Sequence, residues 1–566
     1  MCGIAGIILK GSKNKSASFK HDLKTMCDSL APRGPDGNGI YEKDNIGLVH
    51  TRLSIIDLGS GAQPMTDDKG RTIVFNGEIY NFIELRETLK SSYNFKTASD
   101  TEIILALYDA HGEKCVEHLR GMYSFAIHDP AHNRVVIARD PFGIKPLYSV
   151  EDERQIIFAS EIKAIRSIIQ NNKTEADYLR SILKTQHGFA EKTPYQNITR
   201  IPPGATLVFE NGELKSKSFR SFLHEGAKYK TEDLGDVLKQ STEIHCRSDV
   251  GYGLFLSGGV DSNSLLYCLS QQKEQSRLHT YTAFFDIPEA KDEREISRAT
   301  AGKCGTKHHE VLFDENDFLT LLPQITAYMS DPMCDYAILP TWKLASFAAQ
   351  DQKVILSGEG GDELFAGYGR YRPRFWKKDK YDQSFPSWDD NQQAPGSIAE
   401  HWTKLQTRQA KDIAHWLPND LLLKLDQCLM AHGLEGRTPF LDQEVANIAF
   451  NFNDKDKIRG KTGKYALKQW LNEHLPESRP FRKKQGFTVP VGNWIHNQAE
   501  KLWPLLESDH FVDELLSKAE KENYKAAITN PQKAIKIWPL LYLTLWHKTN
   551  IEAGGLTGDI FESLEK

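Results

Sequence analysis

Gly253-Leu254-Phe255-Leu256-Ser257-Gly258-Gly259-Val260-Asp261-Ser262 is the stretch on which the reading of this chain turns. Its apolar opening reads as a buried strand, and a helix is expected from about Asn263 to Gln272. Between them, the successive N–H groups of Ser257, Gly258 and Gly259 would line a concave anion site, reinforced by the positive end of the helix. The loop lacks a GK[ST] ending, which excludes a Walker A loop, and lacks GxGxxG, which excludes a dinucleotide fingerprint. A glycine-rich turn from strand to helix can also serve tightness alone.

The same texture holds from about residue 232 onward. Apolar runs at 280–285 and 354–356 alternate with helical stretches at 293–303, 339–349 and 532–547, and Pro539 should kink or interrupt the last of these. Buried parallel strands separated by helices predict an α/β domain with a parallel sheet. After the run at 354–356 comes Ser357-Gly358-Glu359-Gly360-Gly361-Asp362-Glu363, acidic groups set among glycines. His308-His309-Glu310 lacks HExxH spacing, and neighbouring side chains on an extended segment point apart, so this run reads as structural.

Composition sets the outer bounds. A chain of 566 residues exceeds what one core organises, so roughly two to four domains are expected. Hydrophobic residues make up 40% and charged residues 26%, which excludes a disordered, collagenous or disulfide-dense chain. Lys plus Arg number 71 against 76 Asp plus Glu, and the formal net charge of −5 offers no footprint for nucleic acid or an anionic membrane. The eight cysteines show no CxxC spacing, so a zinc ribbon is not expected and a reducing cytoplasm fits. The apolar run at 3–9 is too short for a secretory core, and nothing approaches the roughly 18 apolar residues that span a bilayer. A soluble cytoplasmic protein is expected, with the sequons at Asn14, Asn172 and Asn197 accidental.

Up to about residue 210 the chain is strand-rich. Short β-prone runs at 40–41, 46–49, 72–75, 123–127, 135–138, 155–158 and 205–208 are separated by turn signals, with helices at 84–90 and 101–110. This pattern predicts an α+β domain of mainly antiparallel sheets. The expected organisation is a first domain over 1–214, a polar linker over 215–231, a second domain over 232–549 and a poorly ordered polar tail over 550–566.

Chemistry at the start of the chain begins with Met1-Cys2-Gly3-Ile4. Trimming of Met1 would leave Cys2 with a thiol and a free α-amine, whose reference pKa of about 7.7–8.0 suits a base near neutral pH. The dipeptide alone is equally a cysteine without a role. Its company decides: Arg33-Gly34-Pro35-Asp36-Gly37, His50-Thr51-Arg52-Leu53-Ser54, Phe75-Asn76-Gly77-Glu78-Ile79-Tyr80, Ser99-Asp100-Thr101-Glu102 and Arg139-Asp140-Pro141-Phe142-Gly143-Ile144-Lys145 follow in order. The set resembles the glutaminase domain of class II glutamine amidotransferases, which are N-terminal nucleophile hydrolases, and so implies an αββα sandwich. The resemblance implies that Cys2 attacks the side-chain amide of glutamine and releases ammonia. Asn76 and the N–H of Gly77 would form the oxyanion hole. Arg52 would take the α-carboxylate of glutamine, and Glu78 and Asp100 its α-ammonium. Singly, Asn76-Gly77 is also a common hairpin turn, and Arg52 or Asp100 a surface ion pair.

The string from Leu256 to Ser262 resembles the pyrophosphate loop of ATP pyrophosphatases, which cleave ATP between the α and β phosphates. With Met430-Ala431-His432-Gly433-Leu434-Glu435-Gly436-Arg437-Thr438-Pro439-Phe440-Leu441-Asp442 and Lys483-Lys484-Gln485-Gly486-Phe487, the whole resembles the glutamine-hydrolysing asparagine synthetases over residues 2–495. That resemblance implies ATP contacts at Leu256, Ser257, Gly258, Gly259, Asp261, Ser262, Phe284, Ser357 and Gly358. It also implies Mg²⁺ on Asp261 and Asp362, a role for Glu359 in forming an acyl-adenylate, and Lys464 as a stabiliser of pyrophosphate or adenylate charge. Lys464 reads equally well as a solvated helix lysine. Ammonia would pass between the domains and displace AMP. The implied partners are glutamine, ATP and aspartate or another carboxylate, without nucleic acid or membrane; a homodimer is entertained, though no residue argues for it.

The pattern thins at Asp335-Tyr336-Ala337, where Asp-Pro-Ser or Thr-Ile-Arg types are expected of the family, and at Gly436. Aspartate as acceptor is therefore in question, and an amidotransferase for another carboxylate, in cell-envelope or natural-product biosynthesis, is the first alternative. A nucleic-acid-modifying pyrophosphatase should show a basic face that this chain lacks. A β-lactam-forming or peptide-cyclising relative should have lost Cys2 or its glutamine contacts, and an inactive scaffold has little reason to keep both sites.

Overall fold

The computed structural model describes residues 2–11, 18–169, 173–189, 191–223, 229–272, 278–287, 293–372, 402–483, 489–552 and 558–565. Met1, the sequons at Asn14 and Asn172, and Lys484-Gln485-Gly486-Phe487 lie outside the described residues. The strands run β1 Gly3–Leu9, β2 Gly37–Lys43, β3 Ile46–Arg52, β4 Met65–Thr66, β5 Thr72–Ile79, β6 Gly121–Asp129, β7 Arg134–Arg139, β8 Tyr148–Glu151 and β9 Gln155–Ala159. They continue with β10 Ile198–Arg200, β11 Ala205–Glu210, β12 Glu213–Phe219, β13 Tyr252–Phe255, β14 His279–Phe284, β15 Lys307–Leu312, β16 Val354–Leu356 and β17 Glu435–Arg437.

Two six-stranded sheets, ordered β10-β8-β9-β1-β3-β2 and β12-β11-β7-β6-β5-β4, make the N-terminal half. Each strand pairing within them is antiparallel. The alternation of side chains along a strand explains the layering. On β1, Ile4 and Ile8 pack with Val74, Ala126, Ile137 and Phe209 between the sheets. Ala5 and Ile7 face outward onto the helix Phe19–Ser29. On the opposite sheet, Ile73, Phe75, Phe125 and Ile127 face the helix Asp100–His111. Helix, sheet, sheet and helix thus stack as the expected αββα sandwich.

The C-terminal half holds a five-stranded, all-parallel sheet in the order β15-β14-β13-β16-β17. Leu254, Val354 and Leu356 pack on one face, and Tyr281 and Ile355 on the other, so helices cover both. The strand order reverses between β13 and β16, and the loops carrying Ser257 and Ser357 leave the C-terminal ends of these neighbours. That is the switch point at which open α/β sheets bind ligands.

Three expectations are corrected. Residues 215–219, read as linker, belong to β12, which pairs with β11. The stretch at 532–547 is a 3₁₀ turn, Ala534–Ile537, followed by the helix Trp538–Asn550. Pro539 sits in that helix's first turn, where its missing N–H is no loss, so it starts the helix instead of kinking it. The tail contains the helix Ile560–Glu565, whose buried Ile560 and Leu564 dock it against Trp538–Asn550 and Ala499–Ser508.

Candidate active sites

Cys2 immediately precedes β1 and is half-buried. Its backbone nitrogen donates to Asn76 Oδ1 at 3.1 Å, and its thiol lies 3.9 Å from the Leu53 carbonyl oxygen. Burial pushes the thiol pKa up, the positive chain terminus pulls it down, and Glu435 and Glu78 push it up again. Asn76 is fully buried within β5, so Asn76-Gly77 is mid-strand and not a turn. Its Nδ2 is a buried donor with no hydrogen-bond partner among the described residues. Gly77 is required by close approach: a Cβ there would stand 2.1 Å from the Met122 carbonyl oxygen on β6.

Arg52 ends β3 and is held by its own loop, donating to the carbonyl oxygens of Asp57 at 2.6 Å and Leu58 at 3.4 Å. Asp100 opens the helix Asp100–His111, and its Oδ2 accepts from the Ile79 N–H at 2.9 Å. Burial pushes the Asp100 carboxyl up to about 6 against that hydrogen bond. Glu78 is buried and lies 3.2 Å from Arg437 of the other half, with its Oε2 left without a hydrogen bond. Burial and the nearby Glu435 raise its pKa well above the carboxylate range. The strand β5 thus carries Asn76, Gly77 and Glu78 past Cys2 and ends on Asp100.

The second centre is knit by Ser262. Its hydroxyl accepts from the Ser257 N–H at 3.1 Å and donates to the Ser257 carbonyl oxygen at 2.9 Å, while the Gly259 N–H donates to Ser257 Oγ at 3.1 Å. Asn263 Nδ2 donates to the carbonyl oxygens of Ser257 and Gly259. The helix Val260–Ser270 begins here and carries Asp261 in its first turn. Leu256 and the β14 residue Thr282 are tied through a side-chain hydrogen bond, which sets β14 and its terminal Phe284 beside the loop.

The Ser357 loop lies directly on this one. A Cβ at Gly358 would meet the Asp261 Cβ at 2.9 Å, and one at Gly361 would meet Asp261 Oδ1 at 2.4 Å. Lys464 is buried and left-handed (φ 55°) at the start of the helix Tyr465–His474. Its ammonium pairs with Asp261 and lies 2.7 Å from Asp362 Oδ1, so it is an internal cation and not a solvated helix lysine. Glu359 faces a different cation, Lys424, at 3.8 Å, which also pairs with Asp335 at 2.7 Å. Burial raises the Glu359 carboxyl, and it pushes Asp420 beside this cluster up to about 8.

Buried ion pairs join the two halves. Arg437 on β17 binds Glu435 at 2.5 Å and Glu78 at 3.2 Å. Arg33 is fully buried and bridges Glu161 at 2.9 Å and Asp426 at 2.7 Å. Arg33 also donates to the Cys2 carbonyl oxygen at 3.1 Å. Arg120 holds Asp442 with two hydrogen bonds, at 2.8 and 2.9 Å. Arg33, Glu435, Arg437 and Asp442 stand inside strings quoted from the sequence, yet no role was legible for them there: Arg33, Arg437 and Asp442 each have a partner in the opposite half, and Glu435 holds Arg437 in place for its own. Lys424 and Asp426 gave no sequence signal.

The profile of the asparagine synthase family matches residues 233–548, and that of the glutamine amidotransferase domain matches residues 1–220. The chain is 30% identical to asparagine synthetase [glutamine-hydrolyzing] 1 of Bacillus subtilis, covering 98% of this chain and 97% of that protein. It is 30% identical to asparagine synthetase B of Escherichia coli over 88% of this chain and 84% of that one. A putative asparagine synthetase of Methanocaldococcus jannaschii is 34% identical over 67% of this chain and 78% of its own length.

Proposed function

This chain belongs to the asparagine synthase family, and on that premise we propose that it is a glutamine-dependent asparagine synthetase running two chemistries in series. The glutaminase unit runs through the end of β12 at Phe219, and the ATP-dependent unit spans residues 232–549. One observation supports the reading: the half that carries Cys2 and Asn76 is tied by buried ion pairs to the half that carries Asp261, Asp362 and Lys464.

Once Met1 is trimmed, the Cys2 nitrogen that now lies 3.1 Å from Asn76 Oδ1 becomes an α-amine able to take the thiol proton. The sulfur attacks the glutamine amide carbon, and the resulting oxyanion receives the unpartnered Nδ2–H of Asn76 and the Gly77 N–H. Collapse expels ammonia and leaves a thioester, which water cleaves to glutamate. Arg52 holds the α-carboxylate of glutamine, and Glu78 and Asp100 its α-ammonium.

In the other half, an oxygen of the acceptor carboxylate attacks the α-phosphorus of ATP and pyrophosphate leaves, giving an acyl-adenylate. Ammonia then attacks the acyl carbon and AMP departs. The N–H groups of Ser257 and Gly259 brace the loop from within, and that of Gly258, which donates to Glu293 at 3.2 Å, turns to phosphate when ATP displaces the carboxylate; Ser262, Ser357 and Gly358 complete the phosphate site, while Leu256 and Phe284 flank the nucleoside. Lys464 offsets charge developing on pyrophosphate, and Glu359 orients the acceptor. Asp261 and Asp362 would hold Mg²⁺, which screens phosphate charge when bound. Their fit rests on Lys464, whose single ammonium already reaches both carboxylates.

A second reading, amidation of a different carboxylic acid, is favoured by Asp335. The string Asp335-Tyr336-Ala337 departs from the types expected of the family, and Asp335 pairs with the buried Lys424 beside Glu359, so the acceptor pocket carries its own charge arrangement. Incubation with MgATP, glutamine and a panel of carboxylic acids, aspartate first, separates the two readings. Asparagine with equal AMP and pyrophosphate supports the first, and an amide from another acid alone supports the second. ADP as product, or no amide from any acid, overturns both.

A further inference from the structure

The His308-His309-Glu310 run has a partner that only the sheet provides. As expected for neighbours on a strand, the two imidazoles part: His308 Nδ1 meets Thr280 Oγ1 at 2.9 Å, whereas His309 stacks on Tyr281 with ring centroids 5.0 Å apart. Tyr281 sits opposite His309 in the parallel pairing of β14 with β15, which puts His279, two residues before Tyr281, on the same face. The His279 and His309 rings lie 5.1 Å apart. Asp351, exposed on the loop before β16, brings its Oδ2 to 3.8 Å from His279 Nδ1. Each of the three side chains offers a ligand atom within 4.8 Å of the other two. His309 Nε2 is a buried nitrogen with no hydrogen-bond partner among the described residues.

We infer that His279, His309 and Asp351 form a binding site for a borderline transition-metal ion of the Zn²⁺ type, apart from the nucleotide loops. Two imidazoles and a carboxylate match such an ion, while the all-oxygen pair Asp261 and Asp362 suits Mg²⁺. Zn²⁺ holds N and O ligands at about 2.0–2.2 Å, so ligand atoms around it stand roughly 3.3–3.6 Å apart. The set must therefore close by up to about 1.5 Å, and exposed Asp351 is the member free to move. Burial, and then Lys307, lower the pKa of the His279 imidazole, and burial, His279 and Lys307 lower that of His309. Lys307 opposes a cation here. The Tyr281 hydroxyl, 3.3 Å from His279 Nδ1, must turn aside. The other histidine group, His510, His547 and Glu552, is set aside because Glu552 is already engaged by His547 at 2.9 Å and faces Lys548 at 3.9 Å.

Position fixes the consequence. His279 opens β14 and Asp351 precedes β16, at the ends of the strands remote from Ser257 and Ser357. The ion would staple the base of the sheet and affect its stability more than its turnover.

The test uses the full chain carrying Cys2→Ala, to remove the reactive thiol, stripped of metal and kept in excess Mg²⁺ so that the carboxylate pair is occupied. Titration with Co²⁺ should give one equivalent bound with the visible absorption of an imidazole-ligated ion, displaced by Zn²⁺, and Zn²⁺ should raise the melting temperature. His309→Ala and the exposed Asp351→Ala, which spares the packing, should each weaken binding by at least about tenfold and remove the thermal shift. His547→Ala should leave both unchanged. No Co²⁺ equivalent in the parent protein, or equal affinity in the His309→Ala and Asp351→Ala variants, overturns the site.

Discussion

The two centres treat buried charge in opposite ways. Around Cys2 two polar atoms are left short of partners: Asn76 Nδ2 and Glu78 Oε2 make no hydrogen bond among the described residues, although Glu78 Oε1 lies 3.2 Å from Arg437. Around Asp261 the protein supplies its own counter-ions, with Lys464 on Asp261 and Asp362, and Lys424 on Asp335 and Glu359. Leaving a buried donor unsatisfied costs roughly 1–3 kcal/mol, which a ligand can return. An internal ion pair instead has to be exchanged for the ligand's charges. The first centre is preorganised for a neutral amide and its zwitterionic head; the second is a charge-exchange site suited to a polyanion.

The hardest test of this contrast is Cys2→Ala. It should abolish glutamine-driven synthesis while ammonium salts still support amide formation, measured by product mass; loss of both would erase the division between the centres. Asp261→Asn should stop pyrophosphate release with either nitrogen source, by on the order of a hundredfold or more, because several kcal/mol of charge stabilisation is lost; a coupled phosphate assay reads it. Asn76→Ala should lower glutaminase turnover by about 100- to 1,000-fold without changing ammonia-dependent synthesis. The smallest effect is in pH. With the Asp100 carboxyl at about 6, the proposed partner of glutamine's ammonium is neutralised as pH falls below that value. The kcat/KM for glutamine should then drop by up to about tenfold per pH unit, and Asp100→Asn should flatten that limb.

How much could be read in the sequence follows from what each element needs. The sandwich strands were legible because β5, β6 and β7 are apolar on both faces. In contrast, β15, Lys-His-His-Glu-Val-Leu, lies at the sheet's edge, and polar residues there hide its period. The strand β17 is Glu-Gly-Arg, which no strand propensity would select. It is buried because Arg437 satisfies Glu435 and Glu78 together, a reason visible only in three dimensions. Linker and tail misled for a related reason: polar stretches such as 215–219 and 560–565 fold when a neighbouring edge or helix offers them a place to dock. In the sites, Cys2, Asn76 and Asp261 were legible as strings of reactive types, whereas Arg33, Lys424 and Asp426 act through partners hundreds of positions away or in another element.

Chain ends are usually the loosest part of a protein. Here the first described residues run into β1, which lies between β3 and β9 with Ile4, Ala5, Ile7 and Ile8 shielded on both sides. The sulfur is thereby anchored to one of the last segments expected to breathe. Backbone amides of Gly3–Leu9 should exchange with deuterated solvent only when the whole sandwich opens, a rigidity ordinarily reserved for a domain's interior.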